Sequence, residues 1–239
     1  MNTKIPLIFF GTHEFAKTIL EGLLQSPLYD VELVVTQPDQ PVGRKKIMTA
    51  PPVKILAEKN NIPVVQPETL KNYIFQNKKS SIGVVAQYGK IIPQSVLDQF
   101  ELGLINTHTS LLPKYRGASP IQSALMNGET ETGVSIMLLD EGMDTGPLLA
   151  QKSVDILPDE TYLELDTKLA IIASELLLST IEPYVRGKIK PQPQENTEAT
   201  PCRLLSRDDG RIDWKSMNAT EIYNQYRGLT PWPGVWTTL

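Results

Sequence analysis

A chain of 239 residues that is 41% hydrophobic and 21% charged, with a net charge of −4, can bury a core and suits one full domain with part of a second. No apolar run reaches the roughly 18 residues of a spanning helix, the N-terminus is no signal peptide, and the mildly acidic total confines any RNA contact to local basic patches. One cysteine, Cys202, excludes an internal disulfide, and two histidines, His13 and His108, leave little for a zinc site.

Residues 5–10 are unbroken apolar and end at Gly11-Thr12, as a buried parallel strand does. Phe15, Ala16, Ile19, Leu20, Leu23 and Leu24 follow at helical spacing, and 31–35 is a second strand, so the chain opens with a βαβ unit. GTHEF lacks the G-x-G-x-x-G fingerprint and gives a dinucleotide site little support. A polar loop, TQPDQPVGRKKIMTAPP, carries Arg44, Lys45 and Lys46 near its tip. Pro51-Pro52 opens a helix to about residue 60, and residues 63–66 and 82–86 are short strands. The second strand runs into the turn Gln87-Tyr88-Gly89-Lys90. A short helix after Pro93 leads to the strand at Leu104-Ile105, which empties into Asn106-Thr107-His108.

The loop SLLPKYRG and a helix come next, then two strand-like arms, 132–139 and 147–154, around the acidic turn Asp140-Glu141-Gly142-Met143-Asp144. Thr161 and Glu164 make a capping box for the best helix, whose apolar face is Tyr162, Leu165, Leu169, Ile172 and Leu176 and which fades near Pro183. Residues 187–201 are rich in Pro, Gln, Glu and Thr without periodicity, which predicts a linker, and Cys202 is expected to be an incidental thiol. The remainder predicts a short helix over 220–227, core anchors at Trp232 and Trp236, and a strand over 235–238. Strands alternating with helices predict an α/β, doubly wound, mostly parallel Rossmann-like sheet over 1–187, a linker over 188–205, and the beginning of a β-rich C-terminal domain over 206–239.

INTHTSLLPKYRGASPIQ, with GMDTG downstream, resembles the 10-formyltetrahydrofolate-dependent formyltransferases. GTHEFA, TQPDQPVGRKK, APPVKILA, VAQYGKIIP, ETGVSIM, DDGRIDW and TPWPG extend the likeness almost end to end. The resemblance implies transfer of a formyl group from 10-formyltetrahydrofolate, without a metal, to the amino group of methionyl-tRNA in translation initiation. It implies a cytoplasmic monomer with neither DNA nor membrane as partner. Members that formylate nucleotide-linked amino sugars share the asparagine–histidine–aspartate core, and a hydrolase sending the formyl group to water is a further alternative. The basic loop favours tRNA, because in the tRNA-directed members it meets the acceptor stem.

By the same resemblance Asn106, His108 and Asp144 are catalytic. Val85, Ala86, Gln87, Tyr88 and Gly89 offer backbone to the pterin, and Ser110, Leu111, Leu112 and Pro113 border the folate. Asp140 is grouped with them, although its own context reads as turn chemistry. Arg44, Lys45, Lys46, Lys114 and Arg116 would meet the tRNA. His13-Glu14 departs from the family's proline and aspartate, and only the entry of its barrel-like C-terminal domain is expected here.

The chemistry asks for these residue types. Moving a formyl group to an amine builds negative charge on an oxygen and positive charge on a nitrogen. An amide NH2 such as Asn106 donates to that oxygen, and an imidazole paired with a carboxylate, His108 with Asp144, donates and passes protons. Taken singly, each has an ordinary structural reading: a turn asparagine, a satisfied core histidine, a hairpin aspartate.

Overall fold

The computed structural model describes residues 4–43, 45–76 and 79–238. In chain order its elements are β1 (Ile5–Gly11), α1 (Glu14–Gln25), β2 (Tyr29–Val35), β3 (Gln40–Val42), β4 (Ile47–Thr49), α2 (Pro52–Lys59), β5 (Val64–Val65), β6 (Ile82–Ala86), α3 (Gln94–Leu97), β7 (Leu104–His108), β8 (Arg116–Gly117), α4 (Pro120–Met126), β9 (Glu131–Leu138), β10 (Leu148–Asp155), α5 (Tyr162–Val185), β11 (Pro201–Cys202) and α6 (Ala219–Leu229). Seven strands form one sheet in the order β10-β9-β7-β6-β1-β2-β5. Five are parallel, and the β9–β10 hairpin joins β7 antiparallel at one side. The chain lays β2 and β5 to one side of β1, then returns to lay β6 and β7 on the other. The order therefore reverses between β1 and β6, where an open α/β sheet leaves a crevice beyond its strand ends.

Alternation along β1 builds both layers of the core. Leu7 and Phe9 face α1, α2 and α5, while Ile8 and Phe10 face Phe75, Tyr88, Val96 and Phe100. Phe10 stands at the centre of an edge-on aromatic cluster, 5.7 Å from Phe75, 5.9 Å from Tyr88 and 6.1 Å from Phe100 between ring centroids. In β7, Ile105 belongs to the helical layer and Leu104 to the aromatic one. Asn106 and His108 are in phase with Leu104, so they continue the aromatic face of the sheet.

The helices follow their sequence signals with one adjustment. α1 buries Phe15, Ala16, Ile19, Leu20 and Leu23. α5 starts at the Thr161–Glu164 capping box but buries Leu165, Leu169, Ala173, Leu177 and Ile181, while Tyr162, Ile172 and Leu176 lie half-buried at the margin. Alanines let α5 lie close to the sheet, which draws the buried stripe away from the larger side chains.

Three expectations need correction. The polar loop contains a hairpin, β3–β4, whose described residues are all exposed, with Lys45 and Lys46 at its turn; Arg44 lies outside the described residues. The strand expected over 235–238 is a single bridge between Trp236 and Arg211, because Pro231 and Pro233 remove backbone donors just before it. Trp232, between those prolines, is 58% exposed and no core anchor, whereas the half-buried Trp236 donates its ring N–H to Arg207 O at 2.9 Å.

The stretch expected to be a linker packs against the sheet domain. Gln192 and Leu148 exchange two peptide hydrogen bonds of 2.8 Å, and β11 pairs in parallel with β8. α6 docks on the same body. A Cβ on Gly228 would come within 3.0 Å of Gln122 O on α4, and the buried Arg227 donates to Glu160 O at 3.1 Å.

Candidate active site

β7 presents the site, and three loops close around it. Asn106 lies opposite Val85 on β6 and Met137 on β9. Its side-chain amide is half-buried and bonded to none of the described residues. Two residues on, His108 is 6% exposed. Its Nε2 lies 2.9 Å from Tyr115 O, and since a carbonyl only accepts, that nitrogen carries a hydrogen. Its Nδ1 stands 3.5 Å from Asp144 Oδ2, within ion-pair range, with both side chains nearly buried. The same carboxylate oxygen accepts the Gly117 N–H at 2.9 Å. The structure thus brings the three catalytic candidates to one place and leaves Asn106, not His108, with the unengaged donor.

Asp144 sits at φ +53°, a left-handed backbone uncommon for a residue with a Cβ. The turn that carries it is closed by Asp140, whose Oδ1 accepts from Gly142 N at 3.0 Å and Thr145 Oγ1 at 2.7 Å. Asp140 therefore spends Oδ1 on its own turn, in keeping with the turn chemistry of its context.

The loop from Ser110 to Gly117 is held from within and behind. Ser110, wholly buried, donates to Lys114 O at 2.6 Å, and its carbonyl accepts from Ser135 Oγ at 2.6 Å. Ser135 Oγ in turn accepts from Leu112 N at 3.0 Å and Gln151 Nε2 at 2.8 Å. Ser110 and the buried Leu112 are scaffold, while Leu111 and Pro113 stay half-buried at the rim and Lys114 is exposed. Arg116 is no free cation. It donates through Nε and Nη2 to Gln194 Oε1 at 3.0 and 2.8 Å, and through Nη2 to Asn196 Oδ1 at 2.9 Å. Of the five cations expected at an RNA, Lys45, Lys46 and Lys114 are the exposed ones among the described residues.

The remaining candidates follow β6. Val85 and Ala86 are buried strand residues, and Gln87 turns the chain at φ +40°. Tyr88 points into the aromatic layer, and burial, reinforced by Tyr73, pushes its phenol up to about 12. Its carbonyl is taken by Thr12 Oγ1 at 2.9 Å and Gln37 Nε2 at 2.8 Å. A Cβ on Gly89 would lie 2.4 Å from that Gln37 nitrogen, so the glycine makes room for a protein contact and holds φ +76°. Tyr88 consequently brings no side chain to the crevice.

Sequence reading missed the supports: Tyr115 O, Gly117 N, Ser135, Gln151 and Gln194. Gly117, in an Arg-Gly pair, carried a faint signal, since it stands at φ +125° and a Cβ there would meet Cys202 O at 1.9 Å. Gln194 carried none. Cys202 is buried, donates its thiol to Tyr115 O at 3.2 Å and has its pKa pushed up by burial, the opposite of an activated nucleophile. Among the described residues, no group of three His, Cys, Asp or Glu side chains is placed to hold a metal ion.

A donor amide beside a buried His–Asp pair is suited to acyl transfer, and comparison with known proteins points the same way. A family model described as formyl transferase matches residues 3–181, and one described as formyl transferase, C-terminal domain, matches 204–239. The methionyl-tRNA formyltransferase of Acidobacterium capsulatum is 47% identical over 98% of this chain and 76% of its own length. That of Listeria monocytogenes is 44% identical over 99% and 76%. Among solved structures, an N-formyltransferase from Helicobacter canadensis in complex with folinic acid and dTDP-3-aminofucose superposes with a TM-score of 0.73 at 23% identity, covering 94% of this chain and 80% of that one. Phosphoribosylglycinamide formyltransferase from Bacillus halodurans gives 0.59 at 27% identity, covering 73% of this chain and 92% of that one.

Proposed function

The chain belongs to the formyl transferase family, and we propose that Asn106, His108 and Asp144 are the centre at which it moves a formyl group from 10-formyltetrahydrofolate to the amino group of methionyl-tRNA. The observation that carries this reading is the free, half-buried Asn106 amide beside the His108–Asp144 pair. What this crevice leaves open fits a folate: the Asn106 amide, the backbone turned at Gln87 next to the sheet's switch point, and the half-buried rim at Leu111 and Pro113.

The folate supplies the formyl carbon. As the amine nitrogen bonds to that carbon, negative charge gathers on the formyl oxygen. As the bond to folate N10 breaks, one proton leaves the amine and one reaches N10. Asn106 Nδ2 donates to the charged oxygen, a contribution of about 10²–10³ in rate for a preorganised donor. The His108–Asp144 pair carries the proton between the two nitrogens, which contributes about 10²–10⁴. Removing Tyr115 O as a partner is the change His108 needs to reach the reacting atoms.

The tRNA side rests on the β3–β4 hairpin with Lys45 and Lys46, and on Lys114, all exposed. The catalytic domain is placed over 1–187 and the beginning of a C-terminal domain over 206–239, a division that the two family matches support. A cytoplasmic location agrees with the single cysteine, and the lack of a DNA partner with the net charge of −4; the monomeric state and the lack of a membrane partner are carried over from the family resemblance. Among the described residues, no helix is long and apolar enough to cross a membrane.

The test is a direct acceptor comparison. Purified protein with 10-formyltetrahydrofolate is given methionyl-tRNA, an amino-sugar nucleotide, or water alone. Formylmethionyl-tRNA is the expected main product. Faster formylation of the sugar, or formate release that ignores the amine, would replace this reading with one of its rivals.

A further inference from the structure

We propose that Gln194, in the stretch whose composition reads as a linker, is a positioning residue for the transfer centre and acts through Asp144. The inference rests on the reading of that centre given above. Residues 191–198 are exposed with one exception, and the exception is Gln194. Its Nε2 donates to both Asp144 O, at 2.9 Å, and Gly146 O, at 2.7 Å. Its Oε1 accepts both Nε and Nη2 of Arg116, at 3.0 and 2.8 Å. A carboxamide has two N–H donors and two acceptor lone pairs, and all four are used. Its orientation is unambiguous, because carbonyls only accept and a guanidinium only donates.

These four bonds join the two loops that position Asp144. The acceptor side holds Arg116, and the N–H of its neighbour Gly117 is the donor to Asp144 Oδ2. The donor side holds the turn itself, at a residue kept in left-handed backbone, a conformation that persists only where surrounding contacts over-determine it. On either side of Gln194 the strap is stitched down, by the Gln192–Leu148 peptide pair and by the Cys202–Gly117 bridge. Loss of the amide donors frees the turn without touching His108, Asn106 or the folate rim. Catalysis depends on sub-ångström placement, so turnover should suffer while cosubstrate binding does not.

Gln194→Glu is the informative variant. It keeps the size and the Arg116 contact, which protects folding, but it removes both donors and sets a negative charge against two carbonyl oxygens. We expect kcat to fall by about 10- to 100-fold with KM for 10-formyltetrahydrofolate within about twofold of the parent. In an Asp144→Asn background the same change should lower kcat by less than about twofold, because a residue that acts through Asp144 has nothing left to place. An equal loss in both backgrounds, or a Gln194→Glu enzyme within about twofold of the parent, overturns the proposal. If the parent transfers no formyl group, the functional reading fails by itself. Imidazole ¹⁵N resonances then decide Gln194 alone. His108 is one of only two histidines. A changed His108 signal with His13 unmoved supports positioning, and identical spectra overturn it.

Discussion

Asn106 and Tyr88 illustrate how differently two polar side chains on one face of the sheet are used. Asn106 leaves a half-buried amide unengaged midway along a central strand, a donor open to whatever binds there. Asn106→Ala is therefore expected to lower kcat by about 10²–10³ while leaving cosubstrate affinity unchanged, since the donor acts where charge develops. Single-turnover kinetics with a separate binding titration would check it; parent-like turnover removes Asn106 from the mechanism. Tyr88 is the reverse case. Its hydroxyl is buried without a partner among the described residues, and its ring packs on Phe10 in the aromatic layer. Tyr88→Phe deletes an unsatisfied group whose burial costs about 1–3 kcal/mol, so the variant should be neutral or more stable, by about 2–4 °C per kcal/mol, with transfer unchanged. A lower melting temperature would show that the hydroxyl has a partner.

At the scale of elements, the two-residue strand β8 matters out of proportion to its length. It pairs with β11, supplies the Gly117 N–H to Asp144 and anchors Arg116 to the strap. Gly117→Ala places a Cβ 1.9 Å from Cys202 O at φ +125°. We expect at least 1–3 kcal/mol of strain, or loss of the bridge, and a fall in kcat that accompanies the lowered melting temperature. A variant with parent stability and parent turnover would mean that the bridge is dispensable. The β3–β4 hairpin is the opposite kind of element, exposed on all its described residues, with Lys45 and Lys46 beside Val42, Ile47 and Met48. Replacing both lysines by alanine should raise KM for methionyl-tRNA and reduce its salt slope by about two, at about one per phosphate contact, without changing KM for the folate. An unchanged salt slope would take the hairpin out of the RNA interface.

At the scale of the whole molecule, the C-terminal stretch from Arg203 onward is tied to the sheet domain through α6, and locally through an ion pair. Arg203 and the strongly capped Ser206 turn hold the Asp209 carboxyl down at about 2, from an ordinary 3.8. Because the folded value is the lower one, this contribution to stability is complete above the ordinary value and disappears as pH falls from there towards 2. All three tryptophans, Trp214, Trp232 and Trp236, lie in this part of the chain, so their fluorescence reports on it. Acid titration should show the module loosening in that window, and Asp209→Asn should already be loosened at neutral pH and lack the transition. A transition unchanged by Asp209→Asn would assign it to other carboxylates.

Local physics was legible in the residues themselves. Apolar runs, 3.6-residue periodicity and the Thr161–Glu164 capping box predicted the strands and helices of the sheet domain, because each such signal is satisfied within a few residues or by any apolar neighbour. The order of elements predicted the doubly wound sheet, since right-handed crossovers leave few topologies. Asn106, His108 and Asp144 were singled out as candidates by type and order, and by a likeness of motif. Their environment was not. Whether His108 is engaged at both nitrogens, whether Ser110 faces inward, and whether Arg116 is free all depend on partners from 7 to 78 positions away, which no local pattern encodes. The strap was least legible of all. Its residues make hydrogen bonds rather than apolar contacts, so they leave no periodic trace, and only the folded chain shows that a stretch with the composition of a linker is hydrogen-bonded to the turn that carries Asp144.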